Sequence, residues 1–522
     1  MRRARGLVLV GLVVLLVVGL VGCGGAGSQS KQKVLRVAIG MDVVTLDPHD
    51  TVDFKGLMVA NNVYERLVKY DPKDNSFKPW LAKSWEVSGD GLRWTFHLDE
   101  SAKFASGNPV TAEAVRYSLV RGIKQKMFPS WMLSQCIDEN ALNVVDERTV
   151  EITLAKPYAP LLAILSSVVA SAVDPEVIAQ HEQSGDMGKL WLKDHSAGSG
   201  PFVVDTWQPK DRIVLKRNPN YWGKPPKLDE VVFLVVPEAS SQAAMVERGD
   251  VDVAQDLLPD QVEQLVSKGG FQKLELPDTV PYYLAMNLTF EPFKKKEVGQ
   301  AIRYAIDYEG LIKDVVKGYA VQVGGILAPG VLGYDPGLCV KQDLSKAREL
   351  MRQAGYGNGF SVTMHYQSAP IKGLGIPPEN VAVKIQSDLA QIGIKVEPIK
   401  QDASTLLEPY RSGKIPFAMW MWGPVYPDPD NIITSHGDEN NGGSKRLSYV
   451  NHEVTQLIQK ARESMDPAER VRLYKQVQAI EADSGPWVWL FVTKNVQVAR
   501  ANVKGYELIP YWTVDLASVD VE

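Results

Sequence analysis

Cysteine is scarce in this chain of 522 residues: only Cys23, Cys136 and Cys339 occur. There is no paired C-x-x-C, no G-x-S-x-G, no H-E-x-x-H and no P-loop, so the nucleophile and metal constellations expected of an enzyme this long are missing. The seven histidines (49, 97, 181, 195, 365, 436 and 452) show no ligand spacing. No basic cluster points to nucleic acid and no internal repeat is visible. With 45% hydrophobic and 23% charged residues, the composition is that of an ordinary soluble globular protein. Its length allows roughly two to four domain-sized cores.

What is there begins at the amino terminus. Arg2, Arg3 and Arg5 precede an uninterrupted apolar run from Leu7 to Val21, the pattern of a secretory signal rather than a spanning helix. Leu20-Val21-Gly22-Cys23 resembles a bacterial lipobox, which marks 1–22 as a signal peptide and Cys23 as the lipidated first residue of the mature chain. The Gly/Ser-rich stretch that follows makes 23–33 a flexible, lipid-anchored tether. Loss of the three arginines takes the formal charge from −5 to −8. In an exported protein Cys136 and Cys339 can pair, and two free thiols fit equally well.

Leu35, Val37 and Ile39 alternate as a strand, and Asn62–Val68 is expected to be helical. Ser88-Gly89-Asp90-Gly91 joins two strands of a hairpin, the second carrying Trp94, Phe96 and Leu98 on one face. Thr111 is a candidate N-cap. Val298, Ala301, Ile302, Ala305 and Ile306 make a half-buried helical stripe. From Asp343 onward the chain reads helix, strand (360–366), helix (380–391), strand (394–399), a short helix and a strand at Phe417, a parallel α/β pattern. Asp466-Pro467 opens a further helix.

The stretch Phe417–Asn431, FAMWMWGPVYPDPDN, reads as a buried strand that breaks into a stiff loop. Rigid aromatics beside fixed carboxylates suit a concave site for a polar organic solute. Ligands of open α/β sheets sit beyond the carboxyl ends of strands, where this loop lies. Its candidates are Trp420, Trp422, Tyr426 and Asp428. Tyr282-Tyr283, Asn287 and the aromatic pair Tyr511-Trp512 are weaker candidates.

The ordered succession of TLDPH, NVYERLV, a W-x-F-x-L strand followed by FASGNPVTAEAV, GSGPF (198–202), RNPNYWG (217–223) and GDVD (249–252) resembles the family 5 extracellular solute-binding proteins of peptide and nickel ABC importers. The resemblance runs over essentially the whole mature chain. It implies a type II periplasmic-binding-protein-like α/β fold whose two lobes close on ligand, with an extra inserted domain. Domain I would comprise 34–73, 196–289 and 493–522, domain II 74–195 and domain III 290–492. No catalysis and no cofactor are expected. The implied partners are a small organic solute, an ABC permease and its ATPases, with the membrane reached by the lipid anchor alone and the protein itself a monomer.

The resemblance also bears on the ligand. Peptide-binding members commonly read W-G-x-D-Y-x-D-P, the first aspartate pairing with the peptide's α-ammonium; here Trp422-Gly423-Pro424-Val425-Tyr426-Pro427-Asp428-Pro429 places Val425 there. Either another acid such as Asp428 takes that role or the ligand lacks a free amine. An oligopeptide or dipeptide is the favoured solute, with an oligosaccharide or a metal chelate as alternatives. His436 is the histidine to watch for a chelate, although no metal site is expected. A peptide-sensing receptor and a secreted hydrolase are the competing functions.

Overall fold

Period-two alternation does in Val34–Ile39 what it predicts: Leu35, Val37 and Ile39 are fully buried. In the computed structural model, which describes residues 32–511 and 513–522, this strand lies inside an eleven-stranded mixed sheet. The signal segment, Cys23, the tether through residue 31 and Trp512 lie outside the described residues. Across the sheet run Ile394–Gln401, Phe360–Gln367, Phe417–Met421, Phe271–Met286, Trp487–Arg500, Val253–Ala254, Val34–Ile39, Glu230–Val235, Arg212–Arg217 and Phe202–Gln208, with Ala320–Gln322 added beside Trp487–Arg500.

The α/β alternation expected after Asp343 is present. Asp343 caps Leu344–Gln353 by accepting from the Lys346 amide, and Gly355 takes the left-handed conformation that ends it. Phe360–Gln367 then pairs in parallel with both Ile394–Gln401 and Phe417–Met421. Two long antiparallel strands, Phe271–Met286 and Trp487–Arg500, connect this parallel half to the half around Val34–Ile39. Their register shifts between Pro277 and Pro281 and again between Tyr282 and Tyr283. Such bulges concentrate bending. Among the described residues no helix is long and apolar enough to cross a membrane.

A separate four-stranded antiparallel sheet, Ala82–Val87, Arg93–Leu98, Thr149–Thr153 and Leu142–Asp146, buries Trp94, Phe96 and Leu98. They pack with Val115 and Leu119 of Ala112–Lys124, whose cap is Thr111, as expected.

Two buried polar joints hold the dispersed motifs together. Arg121 and Asp47, both almost wholly buried, form a two-pronged ion pair at 2.7 and 2.9 Å. His49 Nδ1 lies 2.7 Å from Arg121, and its Nε2 is 3.0 Å from the Ser171 carbonyl. Burial, aided by Arg121, holds His49 down at about 4, so it is neutral at pH 7. The second joint is Glu65, which accepts from four donors: Trp80 Nε1 (2.8 Å), Tyr221 Oη (3.1 Å), Trp222 Nε1 (2.7 Å) and Ser199 Oγ (2.9 Å).

Glu65 also marks a departure from the expected helix over Asn62–Val68. The helix is Phe54–Val63, Tyr64 is extended, and Val68–Asp71 is a strand. The Val63 carbonyl is taken by the Gly200 amide at 2.9 Å instead of continuing the helix. Gly198 packs so closely there that a Cβ would stand 2.1 Å from that oxygen. Cys136 and Cys339 are both free.

Candidate functional site

Side-chain alternation on three adjacent strands builds an aromatic wall. In Phe417–Met421, Phe417 and Met419 face one core while Ala418 and Trp420 face another. Trp420 lies opposite Tyr283, and Tyr283 opposite Trp489, so period two aligns Tyr283, Trp420, Trp487 and Trp489 on one face. Trp420 stacks on Tyr410 at 4.0 Å between ring centroids. Tyr283 packs against Trp489 at 4.9 Å.

Tyr283, Trp420 and Trp487 of this wall line a cavity of about 350 Å³, within the usual range for small-molecule sites. Trp422, Tyr426, Asp430, His436, Arg411, Arg446 and Arg462 complete much of its boundary, and Trp131 and Gln135 reach it from the short helix Trp131–Ser134 and its C-terminal end. Thus Trp420, Trp422, Tyr426 and Tyr283 meet at one cavity. Asp428, Tyr282 and Asn287 do not line it.

The reasons are local. Asp428 caps a helix, Pro429–Gly437, by accepting from the Asp430 amide at 2.8 Å. Its carboxylate is also held by both terminal nitrogens of Arg470 at 2.7 and 2.9 Å. The expected stiff loop is therefore shorter than the sequence suggests, because Asp428-Pro429 starts a helix with a capping acid and a proline at its first position. Tyr282, one residue from Tyr283, points to the opposite face, stacks on Phe491 at 5.1 Å and accepts from the Lys372 amide at 2.9 Å. Asn287 ties loops together: its Nδ2 donates to the Gly413 carbonyl at 2.7 Å, and its Oδ1 accepts from the Thr289 amide at 2.9 Å.

Asp430 is the one carboxylate lining the cavity among the described residues. It is 1% exposed and already engaged with Arg462 (3.0 Å), Thr434 (2.9 Å) and Tyr158 (3.4 Å). Burial raises its proton affinity and Arg462 works against that. Tyr158 also meets Tyr426 through their hydroxyls at 3.4 Å.

His436 sits in the cavity wall. Its Nε2 is 3.2 Å from the Tyr283 hydroxyl, and its Nδ1 lies 2.8 Å from Ser435 Oγ and 3.1 Å from the Ile432 carbonyl. Burial holds it down at about 3, so it presents a neutral ring at pH 7. Among the described residues no group of three or more His, Cys, Asp or Glu side chains is arranged to hold a metal ion.

Sequence reasoning passed over Trp131, Tyr410, Arg411, Arg446 and Trp487. Trp487 was legible as part of a strand. Trp131 lies in a distant segment that reaches the cavity only through tertiary packing, and nothing local marks it.

Residues 76–444 match the model of the bacterial extracellular solute-binding proteins, family 5 (Middle). The chain is 32% identical over 485 residues to the probable D,D-dipeptide-binding periplasmic protein DdpA of Escherichia coli (strain K12), covering 91% of this chain and 92% of that protein. It is 30% identical to the glutathione-binding protein GsiB of Escherichia coli O1:K1 / APEC, covering 97% and 96%. The solved structure of DppA, an ABC transporter-associated periplasmic binding protein from Helicobacter pylori in complex with the peptide STSA, superposes with a TM-score of 0.76 at 28% identity, covering 94% of this chain and 98% of that one.

Proposed function

Because the chain belongs to family 5 of the bacterial extracellular solute-binding proteins, which are binding proteins and not enzymes, we propose that it captures a peptide-type solute in the aromatic cavity and delivers it to an ABC permease. The observation that carries this reading is the convergence of Trp420, Trp422, Tyr426 and Tyr283 on one cavity, built from the sheet face and the segment that follows Phe417–Met421. Aromatic faces of this kind hold a peptide's side chains and planar amides by contacts worth about 0.5–1.5 kcal/mol each. The relatives' stated ligands, a D,D-dipeptide, glutathione and a peptide, support that class.

In this reading 1–22 directs export and Cys23 carries a lipid that anchors the protein outside the cell membrane, or the protein works in the periplasm. Domains I (34–73, 196–289, 493–522), II (74–195) and III (290–492) move about the paired long strands. Ligand favours the closed arrangement in proportion to its extra contacts there. Asp428 serves the loop as a cap and ion pair rather than as a direct ligand group.

Tryptophan fluorescence and thermal shift against peptide, sugar and nickel-chelate libraries test the proposal. Peptide-type solutes should raise Tm, and Trp422→Ala should weaken their binding tenfold or more. Stabilisation by sugars alone, or binding indifferent to Trp422→Ala, would refute it.

A further inference from the structure

Resting on that reading of the cavity, we infer that the solute is a carboxylate without a free ammonium, such as an N-blocked peptide acid, and that Arg411 and Arg446 receive its carboxylate. The inference starts from a charge count around the 422–430 loop. The cavity side carries Arg411, Arg446 and Arg462 against one acid, Asp430. Arg462 and Asp430 already satisfy each other. Neutral His436 adds no negative charge. Among the described residues the ion pairs of this region, Asp430 with Arg462 and Asp428 with Arg470, leave out Arg411 and Arg446.

Arg446 is positioned without being neutralised. Its Nε donates to the Gly442 carbonyl at 2.8 Å, and its guanidinium lies over the Tyr410 ring at 5.0 Å. That ring in turn stacks on Trp420. A guanidinium held through Nε, resting on an aromatic face and hydrogen-bonded to the Tyr410 hydroxyl, is fixed in place and still has terminal N–H groups to give to a carboxylate.

The other side of the loop is no more hospitable to a cation. Val425, 39% exposed, lines a smaller pocket of about 80 Å³ whose charged side chains are Arg66 and Lys69. Arg66 donates to the Ser166 and Tyr64 carbonyls and to Asn61; Lys69 is paired with Asp515 at 2.5 Å. An ammonium at Val425 would meet a methyl surface and two cations, and a desolvated ammonium without an anion is costly. Asp428 cannot rescue it, because both its oxygens are held by Arg470.

The test uses the purified mature protein and three matched libraries: N-acetyl dipeptide acids, the same dipeptides with free amines, and the N-acetyl dipeptide amides, with nickel–citrate as a carboxylate of different origin. Affinity is read by tryptophan fluorescence and calorimetry. The best N-acetyl acids should bind at least tenfold more tightly than their free-amine parents, their amides and nickel–citrate. Arg446→Gln and Arg411→Gln should each weaken the acids tenfold or more with Tm unchanged.

Free-amine dipeptides binding as well as blocked ones, or acids indifferent to both arginine variants, would overturn the inference while leaving the cavity as the site. Nickel–citrate binding more tightly than every peptide acid would overturn it in favour of a chelate. Peptide acids whose binding survives Trp422→Ala would overturn the cavity assignment and the inference with it.

Discussion

Two glutamates, Glu65 and Glu481, are equally hidden from water, at 0% and 2% exposure, yet their surroundings are opposite. Glu65 accepts four hydrogen bonds from four side chains spread from Trp80 to Trp222. Neither oxygen of Glu481, in the helix Pro467–Ser484, has a hydrogen-bond partner among the described residues. Burial raises the proton affinity of both. At Glu65 the donors of Trp222, Ser199, Trp80 and Tyr221 oppose it, whereas at Glu481 nothing does and the carboxyl is pushed up to about 8.

Burial alone therefore does not define a carboxyl group's task. Glu65 is a joint: it fastens the NVYERLV, GSGPF and RNPNYWG segments to one point, which gives a physical reason for their succession along the chain. Glu481 is a carboxylic acid packed against Gly437, where a Cβ would stand 2.7 Å from its Oε1, and Gly437 follows His436 of the cavity wall in the chain. A neutral Glu481 and a neutral His436 leave the back of that wall uncharged at pH 7.

Breaking the joint should have the largest effect. Glu65→Leu strands four donors, each of which costs about 1–3 kcal/mol when buried and unpaired. A loss of about 4 kcal/mol or more in urea unfolding is expected, and a loss below about 1 kcal/mol would show that the four bonds are not what secures these segments.

Glu481→Gln comes next, read against pH. A carboxyl whose folded value is raised to about 8 from 4.5 contributes stability that is complete below 4.5 and is lost as pH rises through 8. The parent protein should lose on the order of 3 kcal/mol of unfolding free energy between pH 5 and pH 8 that the variant does not lose. Parallel pH profiles for the two proteins would contradict this.

The smallest change sharpens the contrast from the other side. Tyr221→Phe deletes one of the four donors to Glu65 and, because three remain, should cost about 1 kcal/mol. A cost close to that of Glu65→Leu would mean that the hydroxyl acts through something other than Glu65.

Much of this architecture could be read in the chain, for reasons visible residue by residue. Helix stripes such as Val298, Ala301, Ile302 and Ala305 are local patterns, and all four residues are buried. Asp343 and Asp466 cap helices through the same short-range chemistry. That signal was equally present at Asp428-Pro429, but three prolines within six residues drew attention to a loop. Asn62–Val68 failed for a different reason: Gly198 and Gly200, far along the chain, intercept the Val63 carbonyl. The same limit applies to the cavity. Trp420 and Trp422 announce themselves beside a strand end, whereas Trp131, Tyr410 and Arg446 meet them only through packing. Tyr282 and Tyr283 could be expected to face opposite ways, but not which one meets the cavity.

The route of the main sheet has a consequence for how the chain assembles. Val34–Ile39 is flanked by Glu230–Val235 and by the two-residue strand Val253–Ala254, whose far edge is closed by Val498 and Ala499. Trp487–Arg500 is also the partner that Phe271–Met286 needs along most of its length. The facing edges of Val253–Ala254 and Phe271–Met286 therefore stay open until Trp487–Arg500 is in place, and that one strand closes both. Such long-range pairing makes folding slow and sets completion of the main sheet by the docking of Trp487–Arg500, so that truncation before residue 487 leaves the sheet as two unjoined pieces.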